Sequence, residues 1–200
     1  MKNIPRLILA SASPRRAELL RDAGFVFAIL PADVDESQLP GETPEAMTLR
    51  LALAKARAVA SAAAASGAAA FILGADTAVV AGSALLGKPA SQIEAARMLR
   101  TLSGCTHTVL TGLAVIRLPD RAERTAVEST SVTFARLSDE EIEAYASSGE
   151  PGDKAGGYAI QGRAARYVTR IEGCYSNVVG LPISRVYALL RELGWSESAT

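Results

Sequence analysis

Soft and imidazole ligands are scarce in this chain: two cysteines and one histidine in 200 residues. Cys105 and Cys174 are too few and too far apart for a disulfide framework, and with His107 they do not make up a zinc set. The thiols are expected to be reduced in a cytoplasm, with burial as the expected reason for both. Net charge is lacking as well. Twenty-one basic residues balance twenty-one acidic ones, so no bulk field favours nucleic acid or an anionic membrane, and any anion must be bound by a local cluster. Long apolar runs are also missing. Residues 7–10 are too short for a signal core despite Lys2 and Arg6, and the alanine-rich residues 51–65 are interrupted by Lys55, Arg57 and Ser61. Neither export nor a membrane span is expected.

What is present suits a sizeable core. Hydrophobic residues make up 49% of the chain, enough for one large domain or two small lobes around a cleft, and no repeat or linker separates independent parts. The most pointed stretch is residues 71–80, where Asp76 interrupts an apolar strand pattern. A carboxylate taken out of water costs several kcal/mol unless it is paired or coordinated. Asp76 therefore either bonds nearby backbone N–H groups or has a charged partner and a task.

Several segments offer that partner. Residues 7–10 read as a short strand; Ser13 then reads as an N-cap and Pro14 as the first helical residue, followed by Arg15 and Arg16. With Ser11, Ser13 and the free backbone N–H groups, this helix start has the makings of an anion site. Beyond a second strand at residues 25–30 lie Asp33, Asp35 and Glu36, which are either plain surface or hard oxygen ligands for magnesium. Thr43-Pro44-Glu45 opens a helix over residues 47–65, on which Lys55 or Arg57 either turns inward or snorkels from a half-buried face. Gly82 to Pro89 mimics a phosphate-binding P-loop, but Pro89 stands where a Ser or Thr is required and bars a helix there. Lys88 remains as an extended point charge for phosphate.

Further along, Ser91 to Glu94 and Ser138 to Glu141 read as capping boxes. Residues 106–118 and 124–137 read as a hairpin around Pro119-Asp120, with His107 structural at its start. Residues 153–162 are punctuated by glycines beside Asp153, Lys154 and Tyr158, a pattern of backbone passing close to a ligand, and Gln161 offers the paired donor and acceptor that suit a base edge. A strand over residues 166–171 and a last helix ending at Gly194 complete the chain.

Five strings taken in order, Ser11-Ala12-Ser13-Pro14-Arg15-Arg16, Gly74-Ala75-Asp76-Thr77, Gly87-Lys88-Pro89, Asp153-Lys154-Ala155-Gly156 and Asn177-Val178-Val179-Gly180-Leu181-Pro182, resemble the Maf family of nucleoside triphosphate pyrophosphatases. The resemblance covers nearly the whole chain. It implies a single α/β domain over residues 1–200: an elongated, mixed, twisted sheet with flanking helices and two lobes around a cleft, similar to the inosine triphosphate pyrophosphatases. It also implies a reaction in which a nucleoside triphosphate and water give the monophosphate and pyrophosphate, assisted by Mg2+ or Mn2+. On that resemblance Asp76 matches the catalytic base, while Arg15, Thr77 and Gln161 match positions that set the substrate and read here as in the dTTP/UTP subgroup. Ser11, Ser13, Arg16, Lys55 and Lys88 are the expected phosphate contacts, Glu36 and Asp76 the expected metal ligands, and Asp153 and Lys154 further pocket candidates. Asp76 is either the base or a ligand of the metal that makes the hydroxide. A homodimer is suggested, with neither nucleic acid nor membrane as partner. The alternative from another class is a nucleotide-binding regulator, for example of cell division, with slow or no turnover.

Overall fold

The computed structural model describes residues 6–64 and 67–196. Seven strands form one mixed sheet, β1 (Arg6–Leu9), β2 (Phe27–Ile29), β3 (Ala70–Ala81), β4 (Ala84–Leu86), β5 (Thr106–Leu118), β6 (Ala122–Phe134) and β7 (Val168–Glu172). Their order is β2-β1-β3-β5-β6-β7, with β4 paired to β3. β1 lies parallel to both β2 and β3, whereas β4 and β7 pair antiparallel to β3 and β6. The helices are α1 (Pro14–Asp22), α2 (Pro44–Ala64), α3 (Gln92–Leu102), α4 (Asp139–Ala146), α5 (Tyr175–Val179) and α6 (Ile183–Glu192). This is the expected mixed α/β class. The second helix is expected to end near Ser66-Gly67; residues 65–66 lie outside the described residues, as does Lys2. No helix among the described residues is long and apolar enough to cross a membrane.

The chain forms two compact units, Met1–Asp76 with Thr111–Glu128 and Gly180–Thr200, and Thr77–Leu110 with Ser129–Val179. In the first unit strand alternation is read out with little ambiguity. Leu7, Leu9, Phe71, Leu73, Leu113 and Val115 pack on one face with α1 and α6. Ile8, Ile72, Ala114 and Ile116 pack on the other with Ala52, Ala56, Val59 and Ala60 of α2. Both faces of β1, β3 and β5 are buried, which is why these strands read as apolar runs. Two glycines let α2 press onto its face. A Cβ at Gly74 would overlap the carbonyl of Ala52, and one at Gly112 would overlap the backbone of Thr48.

The second unit is built around aromatic rings. Phe134 meets His107, Tyr158 and Tyr167 at centroid distances of 5.1, 4.9 and 6.5 Å, and Tyr145 meets Tyr167 at 5.9 Å. His107 is buried here, its Nε2 2.8 Å from the Tyr158 hydroxyl, in keeping with the structural role expected of it. Burial pulls its imidazole down to about 4.

Local corrections have local causes. Ser138 and Glu141 make both halves of a capping box, whereas Glu94 passes over the cap residue and accepts from the N–H of Ala90 at 2.8 Å. The last strand begins at Val168 because residues 163–167 coil into a 3₁₀ turn. A short helix, α5, precedes the last one and stops at Gly180, whose φ of 125° lies outside the helical range, and α6 then starts after Pro182. Cys105 is exposed and Cys174 half-buried, so burial does not explain the first of them.

Candidate functional site

Asp76 sits on β3 in phase with Ala70, Ile72 and Gly74, on the face that α2 covers. With only 9% of its surface exposed it requires a partner, and α2 supplies one. Lys55 lies in the buried stripe Leu51, Ala52, Lys55, Ala56, Val59, and its Nζ donates to Asp76 Oδ1 at 2.6 Å. The same Nζ is 2.5 Å from Glu36 Oε1. Of the two cations read on this helix, Lys55 is the one turned inward. Arg57 is exposed and pairs with Glu123 at 2.8 Å.

The three acids before α2 do different things. Asp35 Oδ1 accepts from the N–H and hydroxyl of Ser37 at 2.9 and 2.6 Å, which holds its carboxyl below the usual range. Asp33 is exposed. Glu36 alone reaches Lys55. The far side of this segment is strapped to α2 by Arg50, which donates to both carboxylate oxygens of Glu42 at 2.6 and 2.7 Å and to the Ser37 carbonyl at 3.0 Å. Arg50 and Glu42 were not among the residues the motifs single out; an arginine five positions before Lys55 on the same helix was the available signal.

Arg16 lies on α1 and is buried. It donates from Nε to the Gly180 carbonyl at 2.9 Å and from Nη1 to Ser11 Oγ at 3.0 Å and the Ala75 carbonyl at 2.8 Å. Burial holds its guanidinium below the ordinary arginine range, an effect that the negative charges of Asp76 and Glu36 only partly offset. Arg16 thus fixes the backbone beside Asp76 and adds a second positive charge near both acids. Ser11 Oγ also accepts from the Ser13 N–H at 3.3 Å, while Ser13 makes no side-chain cap to α1. Arg15 is half-buried in the first turn of α1.

The second unit holds the other candidates. Thr77 follows Asp76 on β3 and is half-buried. Lys88 is exposed after β4, and no helix starts at Gly87-Lys88, as Pro89 requires. Gly87 accepts from the Gly156 N–H at 3.0 Å, which brings the glycine-rich segment beside it. Gly156 has φ of 71° and the side chain of Val79 3.0 Å from where a Cβ would stand, so only glycine suits that crossing. Lys154 turns onto its own segment, donating to the Glu150 carbonyl at 2.6 Å and to Asp153 Oδ1 at 2.5 Å. Gln161 is exposed on a tight turn closed by Gly162 N–H to the Ala159 carbonyl at 3.1 Å.

The donor set around Lys55 also decides which metal could be held. Among the described residues no group of three or more His, Cys, Asp or Glu side chains could hold an ion by itself. Glu36 and Asp76 nevertheless already converge on one positive charge, and two hard carboxylates completed by water and phosphate suit magnesium or manganese. The residues fit such an ion.

Paired carboxylates closed on a lysine ammonium, beside a buried arginine and the start of α1, form one charge-balanced cluster. The comparisons say what kind of protein carries it. The Maf family, described as "Maf-like protein", matches residues 6–193, and the chain belongs to that family. It is 54% identical over 188 residues to the "dTTP/UTP pyrophosphatase" of Koribacter versatilis, covering 94% of each chain. It is 51% identical over 193 residues to the protein of the same name from Anaeromyxobacter dehalogenans, covering 96% of this chain and 95% of that one. A solved nucleoside-triphosphatase / dITP/XTP pyrophosphatase of Mycobacterium abscessus overlaps 66% of this chain and 75% of its own, at 18% identity and a TM-score of 0.36.

Proposed function

We propose that this chain is a nucleoside triphosphate pyrophosphatase that hydrolyses dTTP and UTP to the monophosphate and pyrophosphate. The observation that carries the reading is the Lys55 ammonium 2.6 Å from Asp76 and 2.5 Å from Glu36, a prebuilt centre for balancing charge. Relatives named as dTTP/UTP pyrophosphatases, matched over 94% and 96% of this chain, support it.

In this reading a water attacks the α-phosphorus, the bond from that phosphorus to the bridging oxygen breaks, and pyrophosphate leaves. Asp76 accepts the proton of the attacking water. Lys55 holds Asp76 in place; two of its three donors face the acids, and the third serves a phosphate oxygen. Arg15 and the α1 start with Ser11 and Ser13 supply further positive potential for the triphosphate, while Arg16 anchors Ser11 and the strand beside Asp76. Glu36 and Asp76 would hold a divalent cation, which when bound neutralises phosphate charge and eases ionisation of water. Gln161 reads the pyrimidine edge and Thr77 contributes to that choice.

A panel of ribo- and deoxyribonucleoside triphosphates, each at one concentration with magnesium or manganese, tests the reading. Pyrophosphate release is expected to be fastest from dTTP and UTP. Equal rates across all bases, or binding without product, count against it.

A further inference from the structure

Gln161 presents a difficulty for a base reader: it is exposed, on a turn of three residues, 160–162, that belongs to no helix or strand. Selecting a base through one amide requires that amide to be held within a fraction of an ångström, or the binding energy is lost in ordering it. The backbone on either side of Gln161 is fixed from behind. The Ala159 N–H donates to Tyr145 Oη at 3.1 Å, and the Arg163 N–H donates to Glu150 Oε2 at 3.1 Å. Tyr145 Oη in turn donates to Glu150 Oε1 at 2.8 Å. One phenol and one carboxylate thus span the turn with three hydrogen bonds, two residues before Gln161 and two after it.

The clamp is itself rigid. Tyr145 has no exposed surface, and its ring stands edge-on to Tyr167 at 79°. Gly162 leaves no room for a Cβ against the Glu150 carboxylate, so turn and carboxylate are in direct contact. Lys154 holds the Glu150 backbone through its carbonyl at 2.6 Å. Burial, with the Glu150 carboxylate beside it, pushes the Tyr145 phenol up from its ordinary value, which keeps the donor protonated.

We propose that Tyr145 and Glu150 are positioning residues that set base selectivity by fixing the backbone on both sides of Gln161, so that its amide meets a pyrimidine edge in one orientation. The inference rests on the reading of Gln161 as the base reader. In the intact protein with magnesium, kcat and KM would be measured for UTP, dTTP, CTP and GTP in Tyr145→Phe, Glu150→Ala, Glu150→Gln and Gln161→Ala, each checked for folding by thermal melting. Tyr145→Phe and Glu150→Ala are expected to raise KM for UTP and dTTP about tenfold and to shrink their preference over CTP, while kcat changes less than about threefold. Glu150→Gln keeps an acceptor for the Arg163 N–H and is expected to retain most of the preference. If Tyr145→Phe does not fold, Glu150→Ala carries the test. Wild-type selectivity in the folded clamp variants, with selectivity lost in Gln161→Ala, would overturn the clamp alone. Unchanged selectivity in Gln161→Ala would overturn the base-reader assignment and the clamp with it.

Discussion

The Asp76 centre and the Gln161 turn solve the same problem, holding a polar side chain in place, by opposite means. At Asp76 the side chain itself is held. It is buried, and its partner Lys55 lies 21 residues upstream and is shared with Glu36 of the acidic segment before α2. At Gln161 the side chain is exposed and the backbone is held, by neighbours 13 and 14 residues upstream of the bonded amides. In the first region the proposed function uses the same interaction that balances charge, so a substitution is expected to disturb both. In the second they are separate: the tip can change without cost to the fold, and the support behind it carries the precision.

The largest test of that contrast is Lys55→Met. It leaves Asp76 buried and Glu36 half-exposed without their shared cation, and a cost of about 2–3 kcal/mol in chemical denaturation is expected, together with loss of turnover. The second test uses acid. His107 is held at about 4 in the folded protein against 6.5 when free, so the unfolded chain takes up the extra proton between these values. Stability is therefore full above pH 6.5 and falls as pH drops towards 4, by about 3 kcal/mol in the limit, and replacing His107 by Phe should flatten that slope. Hydrogen exchange is expected to place the acid loosening first in the aromatic core of the second unit. The smallest effect belongs to Gln161→Ala, whose melting should match wild type within about 0.5 kcal/mol, as for other exposed substitutions. A large loss there would erase the distinction between the two regions.

Much of this was legible in the sequence, for reasons of range. Helix starts at Pro14, Pro44, Gln92 and Asp139 follow from cap chemistry that lies within four residues. Strand alternation was readable because Asp76 breaks an apolar run and so announces itself. The inward turn of Lys55 was harder: α2 is so rich in alanine that its faces differ little, and only the spacing Leu51, Lys55, Val59 marks the buried stripe. Which of Asp33, Asp35 and Glu36 meets the lysine is decided by Asp35 bending back to Ser37 and by Arg50 strapping Glu42, contacts that no motif encodes. Gly74 and Gly112 look like ordinary strand glycines until α2 is laid across them. Tyr145 reads as a core residue of α4, and nothing local ties it to a turn 14 residues away.

The central claim is that the carboxylate facing Lys55 on β3 performs the hydrolysis. The direct measurement is magnesium-dependent pyrophosphate release from dTTP by Asp76→Asn, with dTTP binding followed by calorimetry on the same protein. A fall in kcat of about 10²–10⁴-fold with affinity nearly unchanged is expected for loss of a general base. A folded Asp76→Asn protein that turns over at the wild-type rate would contradict the account.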